Sequence, residues 1–567
     1  MNLALTTPIP LSLEALTIAL GPLPLLLFAL VPSKWTHQHL GKTIFLTNTL
    51  TLNALLWASL TTIKYFTLSL TGQTVQNPTL GNIDLLLDAF SLPILLLVSF
   101  LGVIITRFST NYLAGDPRQG TFLKWLCITL GSVQILSLAG NLLLFTIAWI
   151  MTSLSLHQLL TFYADRPAAR TAARKKFFIS RLGDACLLAA LFVTWNTFGT
   201  WNFSELFSAI ATHAAAHGAP AIEVEYLALL LVCSALLKSA QFPFHTWLPD
   251  TMETPTPVSA LMHAGIINAG GFLVIRLSPI ILASTTAPIV LIAIGSLTAL
   301  FGSITMLTQP SIKRSLAYST IAQMGFMMLQ CGLGAIPAAL LHLIAHSLYK
   351  AHAFLSIGTL KKHPTSPNAR TASAPHPIAL FFLLTILSTL AWSITHTTGL
   401  RSSNQHGQPL LGLVLLMALA TWLSTLWKKT PATTSLIGSA LIGGFTLLLA
   451  VGLHAVFETI LTMNPPAHQP PVTSTPYGIT TAIAIAFFLV FALQATLPKW
   501  ANTPWGQKCY VHASHGLYLG LLLNQHFHSR KQQAPSQEHA SQPLTIYHTH
   551  ANQDNTSHQL LSEPKHT

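Results

Sequence analysis

Apolar runs of about 20 residues recur along most of this chain, and that feature decides what it can fold into. They begin near Leu11 and continue to Leu497. A helix of that length crosses about 30 Å of hydrocarbon, where open sheet edges would find no water for their backbone groups. Composition agrees. Of 567 residues, 51% are hydrophobic and 8% charged, with a mean hydropathy of +0.56, whereas soluble domains carry about 25% charged residues. The expected fold class is an all-α polytopic membrane protein with about 13–15 transmembrane helices. Candidate spans begin near residues 11, 43, 85, 124, 141, 177, 226, 257, 286, 315, 336, 378, 409, 434 and 478.

The formal net charge of +13 does not indicate nucleic-acid binding, because the basic residues alternate with the connections. The first, third and fifth connections hold Lys34 and Lys42, then Arg107, Arg118 and Lys124, then Arg166, Arg170, Arg174, Lys175 and Lys176. Later odd connections hold Lys313 and Arg314, then Lys361, Lys362 and Arg370, then Lys428 and Lys429. Even connections offer little beyond Lys64, Arg276 and Arg401, and one carries Glu205, Glu223 and Glu225. The positive-inside rule then puts the odd connections in the cytoplasm, the N-terminus outside and the C-terminus inside, across the cell inner membrane. The first lysine is Lys34, so no basic region precedes the first span and no cleavable signal peptide is expected.

Cys127, Cys186, Cys233, Cys331 and Cys509 are scattered without a CxxC pair. They imply no disulfide framework, zinc site or iron–sulfur cluster. Residues 1–500 read as one membrane domain, interrupted by Pro-, Ser- and His-rich connections at 361–377 and 461–477. Residues 501–528 form an amphipathic segment, and 529–567 a polar tail expected to be disordered. The tail's His548 and His550 suit either weak metal binding or plain solvation.

Charged residues inside the apolar runs point to function. A lysine at the bilayer centre costs on the order of 2.5–3.5 kcal/mol, so such residues face a protein interior or a watery path and mark ion routes. Lys238 and Lys350 are placed this way. In "LLHLIAHSLYKAHAF", His342, His346 and Lys350 recur every fourth residue, which stacks them on one helix face about 6 Å apart. One water bridges that distance, and histidine both accepts and releases protons near neutrality. In "LLKSAQFPFHTWLPDTMETPTPVSALMHAGIINAGG", Pro243 is expected to break the helix that carries Lys238. Transporters bind ions at such broken helices. His245 would lie on the side of Lys238 if helicity resumes, and His263 points into the same region. Gly265, Ala269, Gly270 and Gly271 permit close helix packing.

These motifs resemble the antiporter-like membrane subunits of respiratory complex I, subunit L above all, and of multisubunit sodium/proton antiporters. "NLLLFTIAW", "FFISRLGDACL", "KRSLAYSTIAQMGFM" and "LLHLIAHSLYKAHAFLSIG" follow the family's order, and the likeness is best over residues 80–360. The resemblance implies two inverted repeats, each with a broken helix and a half-channel. It assigns Lys238 to the broken helix, Lys350 with His342 and His346 to the central hydrophilic axis, and His263 to the helix after the break. Asp184 matches an acidic residue of the sixth span. One departure concerns the complex I glutamate that follows the tryptophan of the fifth helix and partners the broken-helix lysine. Here Trp149 is followed by Ile150. Asp184 and His157 are candidate substitutes, although Asp184 also reads as a local partner of Arg181 three residues earlier. No lysine stands in a second broken helix, and Lys428 and Lys429 fall in a loop.

"TSLSLHQLLTFYADRPAARTAARKKF", "MHAGIINAGGFLVIRLSP" and "YVHASHGLYLG" resemble one branch, the DabB membrane subunits of inorganic-carbon accumulation complexes. That likeness implies a cation-conducting subunit, proton or sodium, with no cofactor or catalytic residue of its own. Its implied partner is DabA, a zinc subunit similar to β-carbonic anhydrases. A pumping subunit of a quinone-linked oxidoreductase and a standalone sodium/proton antiporter are the alternatives.

Overall fold

The computed structural model describes residues 13–71, 79–80, 83–217, 221–357, 408–427, 432–463 and 477–522. The span expected near 378, the connection at 361–377, most of that at 461–477, and the tail with His548 and His550 lie outside the described residues. So do Lys361, Lys362, Arg370, Arg401, Lys428 and Lys429. The described residues are mostly helical. Among the described residues, nine helices are long and apolar enough to cross a membrane. This is the expected all-α polytopic membrane fold.

The first span is not one helix. It consists of α1 (Leu13–Ala19), α2 (Pro22–Leu27) and a 3-10 turn, Phe28–Leu30. After α3 (Ser33–Gln38) come α4 (Leu40–Leu70), α5 (Ser91–Tyr112), α6 (Gln119–Leu138) and α7 (Leu142–Leu160). A small antiparallel ladder pairs Thr79 with Asp84 before α5. Asn141 caps α7, its side chain accepting from Leu144 N at 2.7 Å.

Helix α8 (Pro167–Phe198) starts ten residues earlier than its apolar run suggests. Pro167 stands at the first helical turn, where its fixed φ favours entry and its missing N–H costs nothing. The alanine-rich stretch that follows propagates the helix. This corrects the sequence reading, because Lys175 and Lys176 become buried helix residues. The same correction applies to Lys124, which lies inside α6 and donates to Val31 O at 2.6 Å. Arg276 is likewise buried, and it grips Asp88 at 2.5 and 3.2 Å and Ser91 Oγ at 2.6 Å. Lys34, Lys42, Arg107, Arg170, Arg174 and Arg314 are exposed.

After α9 (Phe203–His217), α10 (Ile222–Lys238) carries the first lysine at its last position. The break was expected at Pro243, but the helix ends five residues sooner. Ala240 adopts a left-handed φ of 51°, and Gln241 N donates back to Leu236 O at 3.1 Å. This is the αL-type helix stop in which glycine is usual. Phe242 N is taken up by Thr298 Oγ1 at 3.0 Å. The proline then opens a 3-10 turn, Phe244–Thr246, that leads into α11 (Trp247–Asp250).

The next span is interrupted as well. α12 (Thr256–Ala264) stops at Gly265, a 3-10 turn covers Ile266–Asn268, and α13 (Ala269–Arg276) resumes. Gly270 lets α13 lie directly against the end of α10, since a Cβ there would run into Ser239 Oγ and the Ala235 carbonyl. Beyond α14 (Ser278–Ile281), α15 (Ala287–Leu307) and α16 (Ile312–Gly332) pack backbone to backbone. A Cβ on Gly295 would stand 2.7 Å from Gly325 O, and one on Gly332 2.8 Å from Pro288 O. α17 (Ile336–Leu355) carries the second lysine.

The remaining helices are α18 (Gln408–Trp427), α19 (Ala432–Met463), α20 (Tyr477–Trp500) and α21 (Pro504–Ser514). The end of α21 is tied to the membrane core by Gln309 Nε2, which donates to Ser514 O at 3.1 Å.

Gly270→Ala overpacks the contact between α13 and the end of α10, at a cost of about 1–3 kcal/mol. Thermal unfolding of the detergent-solubilised protein should show a lower midpoint, whereas Gly412→Ala, with open space around it, should not.

Candidate functional site: buried lysines and histidines in two clusters

The first cluster forms where α7, α8 and α10 meet. Lys238 is 5% exposed, and its Nζ donates to the Trp149 carbonyl at 3.4 Å and stands 4.3 Å from the Trp149 ring centroid. The indole face and the negative end of α10 both favour a cation there. Among the described residues, no carboxylate lies within 4.0 Å of Lys238 Nζ. Ile150 is half-buried beside Trp149.

Of the two candidate substitutes, Asp184 is buried and makes an ion pair with Arg181 at 2.6 Å. Asp184 still lies within range of the Lys238 charge. His157 packs on Phe177, 5.0 Å between ring centroids, and its charged neighbours are Lys176 and Arg181.

His245 turns away from this cluster. Because the chain continues as a 3-10 turn and not as α-helix, its ring packs 4.7 Å from that of Phe301 and 5.8 Å from that of Phe242. Its charged neighbour is Lys175, which is salt-bridged to Asp250 at 2.9 Å. The expected alignment of His245 with Lys238 is therefore corrected.

The second cluster is built by α12, α16 and α17. Lys350 is fully buried and donates to Leu316 O at 3.0 Å. The same carbonyl accepts the Thr320 hydroxyl at 3.0 Å, and Thr320 Oγ1 lies 3.1 Å from His263 Nδ1. With the hydroxyl proton committed to Leu316 O, its oxygen accepts from His263 Nδ1–H, which leaves Nε2 as the basic nitrogen. His263 Nε2 has no partner among the described residues, and the ring stacks on Phe354 with 4.4 Å between centroids. His263 thus belongs with Lys350, not with Lys238.

On α17 the rings of His342 and His346 stand 6.2 Å apart, edge to face. Among the described residues neither nitrogen of His346 has a partner, although the residue is only 5% exposed. His342 lies between two glutamines, with Nδ1 2.7 Å from Gln330 Oε1 and Nε2 2.8 Å from Gln323 Oε1. An amide offers oxygen or NH2 by turning over, so this clamp serves the ring both as imidazole and as imidazolium.

Sequence reasoning missed Lys176, Thr320, Gln323 and Gln330. One signal was available for Lys176. Lys176, Ser180 and Asp184 recur every fourth residue on a helix that Pro167 starts early. Thr320 and the glutamines carry no such signal, because only the packing of α16 on α12 and α17 brings them to the histidines.

A twice-broken helical core holding buried lysines and histidines defines a class, the antiporter-like membrane subunits. Residues 139–393 match the family described as NADH:quinone oxidoreductase/Mrp antiporter, TM. Residues 80–123 match that described as NADH-Ubiquinone oxidoreductase (complex I), chain 5 N-terminus. The solved Mrp complex from Dietzia sp. DQ12-45-1b shares the fold, with a TM-score of 0.52 at 22% identity over 92% of this chain and 57% of that one.

The chain is 42% identical over 429 residues to the probable inorganic carbon transporter subunit DabB2 of Halothiobacillus neapolitanus, covering 75% of this chain and 76% of that protein. It is 39% identical over 313 residues to the probable inorganic carbon transporter subunit DabB of Hydrogenovibrio crunogenus, 55% of this chain and 58% of that one. NADH-quinone oxidoreductase subunit L of Mycobacterium tuberculosis is 38% identical over 279 residues, 48% of this chain and 43% of that one. The chain belongs to the DabB family, within the antiporter-like membrane transport subunits.

Thr320→Val keeps the shape and removes the hydroxyl between His263 and the carbonyl that holds Lys350. Losing a buried hydrogen bond costs about 1–3 kcal/mol. Transport should fall roughly ten-fold in this variant, measured at equal abundance in the membrane.

Proposed function

We propose that this chain is the cation-conducting membrane subunit of an energy-coupled inorganic-carbon uptake complex, and that the cation is the proton. The observation that carries the reading is the file of half-buried His342 with buried His346 and Lys350, joined through Thr320 to His263. Its members are ionisable, His342 and Lys350 are held by neutral hydrogen-bond partners, and they sit in a helical interior where a charge without work to do would be a pure cost. Lys238, at the end of a broken helix, supplies a second ionisable site. Protons move along such a file by exchange between neighbouring groups and bridging waters, without any group travelling far. Burial makes a lysine a usable carrier because it disfavours the ammonium form.

The inorganic-carbon assignment rests on the likeness to the DabB relatives, which are probable inorganic carbon transporter subunits. In this reading the chain works with a DabA-type zinc-binding, carbonic-anhydrase-like subunit, which performs the hydration chemistry. Ion flow through this chain drives that hydration toward bicarbonate inside the cell. The exposed cations Lys34, Lys42, Arg107, Arg170 and Arg314 support an orientation with the N-terminus outside and the C-terminus in the cytoplasm, in the cell inner membrane. Residues 1–500 would be the conducting domain, 501–528 an amphipathic C-terminal segment, and 529–567 a polar cytoplasmic tail.

A second reading, a pumping subunit of an NADH-quinone oxidoreductase, draws on the likeness to subunit L. Ile150 argues against it, because Lys238 lacks the carboxylate expected of that cycle. Gentle purification of the tagged chain separates the two. A large zinc-containing partner without redox cofactors supports the first reading, and flavin and iron–sulfur subunits support the second.

Lys238→Ala and Lys350→Ala should each abolish energy-dependent bicarbonate accumulation in a carbonic-anhydrase-deficient host while leaving membrane insertion intact. Accumulation at the wild-type level in both variants would overturn the relay.

A further inference from the structure

The relay as described leaves one buried cation without a task. Lys176 is 2% exposed, and its Nζ donates to Ser153 O at 3.0 Å and Ser153 Oγ at 3.2 Å. Among the described residues it has no carboxylate within 4.0 Å. Its neighbour Lys175, by contrast, pairs with a carboxylate, Asp250, at 2.9 Å.

Its position on α7 is informative. Lys238 donates to the carbonyl of Trp149 and Lys176 to that of Ser153, four residues further along the same helix. The rise of an α-helix separates those carbonyls by about 6 Å. Two ammonium groups from two different helices therefore dock on successive turns of one face of α7, and Lys176 lies within range of the Lys238 charge.

Among the charged groups on the helices around this pair, Lys124 of α6 donates to Val31 O at 2.6 Å. On α8, Arg181 and Asp184 pair at 2.6 Å, and both lie within range of the two lysines. On α7 there is His157. From α11 comes Asp250, bound to Lys175, and from the turn after it Glu253, 3.9 Å from Arg166. The α13 cation, Arg276, is bound to Asp88 of α5. α14 and α15 carry no charged residue. Two charged lysines on successive turns of α7, with Arg181 beside them, would thus outnumber the carboxylate in range of both, Asp184. Like charges sharing one buried site do not ionise together.

We propose that Lys176 and Lys238 hold one transferable proton between them, so that Lys176 is a working member of the ion path. This rests on the conducting role of Lys238 argued above. Where the complex I subunits set a carboxylate beside the broken-helix lysine, this chain sets a second lysine. Arrival of the proton on one amine expels it from the other, and the carbonyl ledge of α7 holds both amines in place.

Opposite charge changes at Lys176 test this. The purified complex, reconstituted in liposomes, is driven by a potassium diffusion potential at equal pH on both sides, and proton uptake is measured across pH. Lys176→Met removes the repulsion and should move the uptake profile to higher pH by roughly one to two units. Lys176→Arg fixes the charge and should move the profile to lower pH by a similar amount. An unchanged profile, a shift in the same direction in both variants, or loss of amplitude alone at normal membrane abundance would overturn the proposal. Lys238→Ala in the same assay separates the two claims. Uptake equal to wild type there, or no uptake by the wild type, removes the relay itself, whereas loss of uptake with unshifted Lys176 profiles removes only the shared proton.

Discussion

A helix that ends within hydrocarbon must satisfy its last carbonyls without water, and α10 ends there with a lysine. Most of the surrounding architecture answers that demand. Ala240 takes the left-handed turn that lets Gln241 N reach Leu236 O. Ser239 Oγ donates to Ile267 O at 2.7 Å, which ties the break in α10 to the break after Gly265. Thr298 of α15 takes the Phe242 N–H. Gly270 opens the space in which these partners meet. The two interrupted spans are thus one feature, since each supplies groups that the other's backbone lacks.

The same economy governs the charges. Lys238, Lys350 and Lys176 are each held by a backbone carbonyl, Lys238 with a tryptophan face and Lys176 with a serine hydroxyl in support. Carbonyls stabilise an ammonium less than a carboxylate would, and they tolerate the neutral amine. A lysine held this way can lose its proton without leaving an unpaired carboxylate behind. Where the protein needs a fixed charge it uses carboxylate pairing, as in Arg276 with Asp88 and Lys175 with Asp250.

The two clusters differ in how they are assembled. Around Lys238 the groups come from α7, α8 and α10, and the partners are main-chain atoms. Around Lys350 they are side chains: Thr320 toward His263, and Gln323 and Gln330 toward His342. Histidine exchanges a proton by swapping which nitrogen carries it. Hydroxyl and amide neighbours adapt to that swap by turning, which a main-chain carbonyl cannot do.

Much was legible in the sequence because hydrocarbon imposes strict rules. The all-α class, most of the spans, a break after Lys238 and the stacking of His342, His346 and Lys350 follow from apolar run length, proline and a period of four. The start of α8 was not legible from hydropathy, because a helix that leaves the apolar run keeps its hydrogen bonds while its composition changes. Lys175, Lys176 and Arg276 therefore read as loop cations until their partners were seen. Nor does a one-dimensional pattern say which cluster a histidine joins. His245 and His263 both follow the break closely in sequence, yet a 3-10 turn sends one toward Lys175 and a packed helix carries the other to Lys350. The sequence by itself determined which groups would be buried and ionisable, since the cost of burying them is local. Only the tertiary structure decided which of them meet, since that depends on how separate helices approach across glycines and breaks.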